Sequence, residues 1–259
     1  MKNKYLKTEK MKRIFYLAVV IIIAAGCQGT GGNGEKNNGK KESGDSIQVK
    51  KYYNEGRLVK EVTFKNDVKN GICRNYYADG RLKRTIWYES GLKEDTARWF
   101  YREGKIYRST PYRNDKIHGV QTKYYKKGRV QATIPYTNGF RAQGLKEYLP
   151  DGRKAETYPV IVENLRDLMD TGANLVRVFV RLSNESVNVR FYRGSLTDGV
   201  FDPEKCRDIT TSSGMGFMEL KPDAGKGKGY VSVIAVYTTR FRNKKIITKK
   251  INLPYNNLN

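Results

Sequence analysis

Between residues 50 and 158 apolar side chains recur at alternate positions over short stretches, and each stretch then gives way to a polar or glycine-containing pair. Leu58, Val62 and Phe64 share one parity; so do Leu82, Ile86 and Tyr88, then Ile106 and Tyr112, then Val130, Ile134 and Tyr136. Alternation with period two belongs to strands, whose successive side chains point to opposite faces. The pairs that end these stretches are Asn66-Asp67, Ser90-Gly91, Asn114-Asp115 and Asn138-Gly139. Such residues tolerate positive φ and favour tight hairpin turns.

A second set of turns is marked by five glycines spaced 24 residues apart: Gly56, Gly80, Gly104, Gly128 and Gly152. One period therefore holds two turns and two short strands. The array predicts an antiparallel meander of about ten strands. Pro111 and Pro135 fall where strand is expected. Proline gives the ladder no N–H, so edges, bulges or unpaired sites are expected there. Gly71 and Gly119 share a further slot, filled by Asp95 and Gln143 in the sister units.

Ahead of four of the turn glycines stands an aromatic pair, ahead of Gly152 stands Tyr148-Leu149, and behind every one comes a basic residue. One ring column is Tyr53, Tyr77, Tyr101 and Tyr125; the other is Tyr52, Tyr76, Phe100, Tyr124 and Tyr148. The rings can stabilise a single-layer sheet through cross-strand contacts, or serve as a stacking platform. The post-glycine residues are Arg57, Arg81, Lys105, Arg129 and Arg153. Equivalent residues two strands apart form a ladder at roughly 9–10 Å, a pitch suited to an extended polyanion or an acidic protein face. A shorter ladder is Lys60, Arg84 and Arg108, ended by Ala132. The bland reading is that these cations are simply solvated.

The combination of an aromatic pair, the step into glycine and a basic residue, an aliphatic residue and a second turn resembles the MORN-variant repeats of bacterial proteins. The resemblance covers roughly residues 50–158. It implies an extended binding surface rather than a catalytic pocket. Some relatives of these repeats are antitoxins, so it also implies an alternative role as an antitoxin or immunity protein that neutralises a secreted toxin.

Upstream, residues 11–27 run from a basic start through the apolar stretch Ile14–Ala25 to Ala24-Ala25-Gly26-Cys27. The stretch is short for a membrane span and suits a secretory signal. The junction resembles a bacterial lipobox, which implies cleavage before Cys27 and lipid attachment to its thiol. Met11 is the more typical start of such a leader. Residues 27–48 hold almost no apolar side chains and read as a flexible tether.

Beyond residue 158 the period stops. Alternating runs at Leu175–Leu182, Val187–Tyr192, Gly216–Leu220, Tyr230–Tyr237 and Ile246–Leu253 are separated by turn-forming residues. This favours a β-sandwich of immunoglobulin-like type, with Glu163–Asp170 either a short helix or an excursion between strands. The expected fold is all-β: an antiparallel single-layer repeat meander followed by that sandwich. The expected domains are a signal peptide (1–26), a tether (27–48), MORN-variant β-repeats (49–158) and a sandwich (159–259).

The formal net charge is +24, of which +13 lies in residues 49–158 and +6 in residues 159–259. A positive field of this kind draws anionic partners. The single histidine, His118, lies beside a turn glycine, and no nucleophile–base set or phosphate-cradling loop is present. Cys73 and Cys206 fall in different expected domains, which argues against a disulfide framework or zinc site. No enzyme activity, cofactor or metal is expected. The expectation is a lipid-anchored cell-envelope protein, at the outer membrane if the host has two membranes. It would bind a protein or an anionic envelope polymer, and nucleic acid is not expected.

Overall fold

The structure, a computed structural model, describes residues 18–22, 45–155 and 157–259. Cys27, the junction around it and all but the last four residues of the expected 27–48 tether lie outside the described residues. The described residues form two compact units, up to Leu92 and from Lys93 onward.

In the first unit β1 (Ala18–Ile22), β2 (Ile47–Asn54), β3 (Arg57–Lys65), β4 (Val68–Tyr76) and β5 (Leu82–Glu89) each pair antiparallel with the next. β1 is drawn from the apolar stretch Ile14–Ala25. The second unit opens with repeat strands β6 (Leu92–Phe100), β7 (Ile106–Arg113), β8 (Lys116–Ile117), β9 (Gly119–Tyr124), β10 (Val130–Thr137), β11 (Phe140–Arg141) and β12 (Lys146–Glu147). These too are antiparallel.

Both turn classes form. Asn66-Asp67, Ser90-Gly91, Asn114-Asp115 and Asn138-Gly139 all have positive φ at both residues, the requirement of a two-residue type I′ turn. At the glycine turns, Tyr77 N–H donates to the Arg81 carbonyl and Gly80 N–H to the Tyr77 carbonyl; the same two bonds recur at 101–105, 125–129 and 149–153. Each of these loops carries three residues and ends on a left-handed glycine.

The first repeat departs from this. Its turn uses two residues, Glu55 (φ 50°) and Gly56 (φ 74°), with Asn54 opposite Arg57. Shortening a hairpin loop by one residue slides the register by one and turns side chains to the other face. Lys50 consequently stands opposite Val62, whereas in the next repeat Cys73, the equivalent of Val49, stands opposite Ile86. Ile47 and Val49 are left exposed.

The prolines sit at interruptions of the ladder. A Cβ on Gly119 (φ +108°) would stand 3.1 Å from Pro111 Cγ, and one on Gly144 (φ +104°) 3.4 Å from Pro135 Cγ. The last unit thus carries its glycine one residue later than the Gln143 slot. Asp95 adopts the same left-handed region at φ 56°.

The remaining strands are β13 (Ile161–Asp167), β14 (Val176–Leu182), β15 (Val189–Arg193), β16 (Arg207–Ser212), β17 (Met215–Leu220), β18 (Tyr230–Thr238) and β19 (Lys244–Asn252). They form one curled sheet in the order β13-β14-β17-β16-β15-β18-β19. Lettered A to G along the chain, this is A-B-E-D followed by C-F-G, the strand order of a constant-type immunoglobulin sandwich. Its core joins Val176, Val178, Val180 and Leu182 to Phe191, Val231, Val233 and Ile251. Lys249 Nζ donates to the Ile161 carbonyl at 3.1 Å and pairs with Glu163, tying the last strand to the first. Glu163–Asp167 is therefore strand, not helix.

Candidate functional site

The basic residues after the turn glycines, Arg57, Arg81, Lys105, Arg129 and Arg153, are all exposed. Their glycines lie in open space: a Cβ at Gly56, Gly80, Gly104, Gly128 or Gly152 would meet nothing within 4 Å. The backbone conformation alone, with φ between +74° and +95°, calls for glycine there. Beside Arg57 lies a recess of about 450 Å³, walled by Leu58, Tyr76 and the turn Ala78-Asp79-Gly80. Farther along, Arg129 donates to the Pro150 carbonyl at 3.2 Å, and Arg153 pairs with Asp151 at 2.8 Å.

The second basic column lies in the sheet rather than on its rim. Lys60, Arg84 and Arg108 are half-buried. Lys60 stands over the Tyr52 ring at 5.4 Å, Arg84 donates to Asn75 Oδ1, and the Arg108 guanidinium lies 4.0 Å from the Trp99 centroid. Such stacked cations stabilise aromatic faces and have less freedom to meet a partner.

The tyrosines Tyr53, Tyr77, Tyr101 and Tyr125 are half-buried, as are Tyr52, Tyr76, Phe100, Tyr124 and Tyr148. Tyr101 donates its hydroxyl to the Tyr124 carbonyl at 2.8 Å, and Tyr125 to the Tyr148 carbonyl at 2.7 Å. Each bond spans 23 residues, from one repeat to the next. In the first unit Tyr76 donates to Glu61, and burial with that carboxylate pushes its phenol up to about 12. These rings serve the repeat itself.

Two features escaped the sequence reading. Lys69 stands 5.4 Å from the Tyr88 ring, and Lys93 stands 5.6 Å from the Tyr112 ring. The two pairs are related by the repeat, so a shared basic–aromatic slot was visible in the sequence. The other feature is Glu147, fully buried. Its carboxylate accepts from Thr239 Oγ1 and Asn243 Nδ2 at 2.6 Å each, and from the Tyr158 hydroxyl at 3.1 Å. Asn243 Oδ1 accepts in turn from Lys123 Nζ at 2.6 Å. Burial, with Arg141 and Arg108 nearby, lowers the Lys123 pKa. The β18–β19 turn is thus plugged into the last repeats, which nothing local in the sequence announces.

Comparison with known families bears on the periodic part. Residues 47–66, 96–114 and 117–138 match the MORN repeat variant. Repeats of this kind are typically non-catalytic and serve protein or membrane association, so a repeat-based binding role follows for the matching units. No curated protein and no solved structure matches the chain. Among the described residues no cluster of three metal-competent side chains exists, and Cys73 and Cys206 are free.

Proposed function

We propose that this chain is a non-catalytic binding protein of the cell envelope, tethered through a lipid on Cys27, which holds an anionic partner on the turn cations of its MORN-variant units. The observation that carries the reading is the shared exposure of Arg57, Arg81, Lys105, Arg129 and Arg153 on tight glycine turns. Turns of this kind hold their backbones still while the long side chains reach outward. Net charge adds support, since most of the excess lies in the repeats. The partner is an acidic protein face or an anionic envelope polymer.

The test is binding of polyglutamate and of polyphosphate to the full chain across a salt titration. Affinity should fall steeply as salt rises, because the counterions released on binding carry the free energy. Changing Arg57, Arg81, Lys105 and Arg129 together to Gln should weaken both and flatten the salt dependence. It should leave the melting temperature nearly unchanged, since exposed charges add little to stability. Unchanged binding by the quadruple variant removes the turn cations from the reading. The anchor is tested separately: Cys27→Ser should abolish labelling by a radioactive fatty acid.

A further inference from the structure

The outer face of strands β15, β18 and β19 is not the solvated surface usual for an exposed sheet face. Tyr192, Ile234 and Ile246 are buried there, and Phe201 and Val236 pack against them. The hairpin of the last repeat leans over this face: Phe201 N–H donates to the Arg141 carbonyl at 2.9 Å, and Ala142 bridges to Val200. Between them remains a trough of about 600 Å³ floored by Val236 and Ile246 and walled by Tyr192 and Phe201. That volume is within the range of small-ligand sites, which are likewise mostly apolar with a few polar groups.

The charged groups of this trough are of one sign. Arg141, Arg190 and Lys244 line it, and no carboxylate does. Arg190 is matched by Asp208 at 2.7 Å. Neither Lys244 nor Arg141 has an ion pair among the described residues; the Arg141 guanidinium lies 5.1 Å from the Tyr136 ring centroid. These two cations are not matched by an acid, and an anionic head group entering the trough would pair with them.

We propose that this trough binds a small amphipathic anion, an acyl chain ending in a carboxylate, with the chain on Val236 and Ile246 and the head group between Arg141 and Lys244. A peptide fits less well. The floor is the face of a sheet whose backbone is already paired from β15 to β18 and from β18 to β19. A peptide laid on it would bury its own amides without partners, whereas an acyl chain has none to satisfy. The site is separate from the turn cations and stands or falls without them.

Decanoate and its uncharged counterpart decanol are titrated into the full chain by calorimetry. Decanoate should bind once per chain, and decanol should bind more weakly by roughly tenfold or more. The double variant Arg141→Gln, Lys244→Gln should lose that preference and bind both alike. Val236→Trp fills the floor and should abolish binding of both while the chain still melts cooperatively. If Val236→Trp does not fold, the decanoate–decanol comparison on the charge variant decides alone. Equal binding of the two ligands to the native chain, unchanged decanoate affinity in the charge variant, or non-saturating uptake overturns the proposal.

Discussion

The Glu147 carboxylate accepts the side-chain amide of Asn243 at 2.6 Å, across 96 residues of chain. Three donors converge on this carboxylate, and two of them, Thr239 and Asn243, are buried. Glu147→Leu should therefore cost on the order of 3 kcal/mol or more, because buried donors left unpaired are costly. Glu147→Gln keeps an acceptor and should cost about half as much. Urea unfolding of the full chain measures both; a near-neutral Glu147→Leu would mean that the last repeats and the curled sheet are held by packing alone.

Stability should also respond to alkali in a defined direction. Burial first, and then Glu147, holds the phenols of Tyr158 and Tyr237 above the usual tyrosine range, and Tyr76 is raised to about 12. A folded pKa above the unfolded value means stabilisation that is complete below about pH 10 and is lost as pH climbs beyond it. Lys123 and Lys245 are lowered, chiefly by burial, and act oppositely: stability is gained as pH rises towards about 10.5. The expected curve rises gently towards about pH 10 and then falls. Tyr158→Phe should flatten the falling limb and Lys245→Met the rising one, followed by denaturation midpoints with tyrosinate absorbance.

Gly104 tests the turns. Its φ is +88° with open space around the missing side chain, so Gly104→Val meets backbone strain without a clash. The expected cost is about 1–3 kcal/mol. Gly71→Val should cost more, because its Cβ would approach Thr63 Cγ2 to 3.1 Å as well. Equal losses at the two sites in thermal melts would show that the neighbouring strand yields freely.

Tyr125→Phe removes a hydroxyl that bonds the Tyr148 carbonyl and leaves the ring in place. A loss of about 1 kcal/mol is expected, with Tyr101→Phe similar. Hydrogen exchange should show the added opening near Tyr148 rather than at Tyr125 itself. Faster exchange confined to Tyr125 would argue that the bond does not link repeats.

Much of this architecture was legible because the repeat writes the same instruction several times. Alternating parity gave the strands, and the two turn classes fell at the polar pairs and the glycines. What stayed hidden depended on single residues out of register. Five glycines share one spacing, yet Glu55 takes the left-handed region beside Gly56, and the loop loses one residue. β16 was missed because Ile209 is its one buried residue, too little for a visible alternation. In β13 only Ile161 is fully buried, and charged residues mask the pattern. As for the candidate sites, the exposure of the turn cations could be read from their place after glycine. The sinking of Lys60, Arg84 and Arg108 into the sheet could not, because it depends on which rings stand opposite. Glu147 was invisible for a different reason: its partners Thr239 and Asn243 come from a turn far along the chain.

The plug at Glu147 gives the array a direction of growth. A repeat protein built from equal units can gain or lose one wherever the next unit presents the same face. At the end that receives the β18–β19 turn, a new unit would have to supply its own buried acid, its own Lys123 and a matching socket. Upstream of Lys123 no such demand applies. Duplication or deletion of 24-residue modules is therefore open on one side of Glu147 and closed on the other, so relatives with longer or shorter arrays should differ at the amino-terminal side while keeping this last joint.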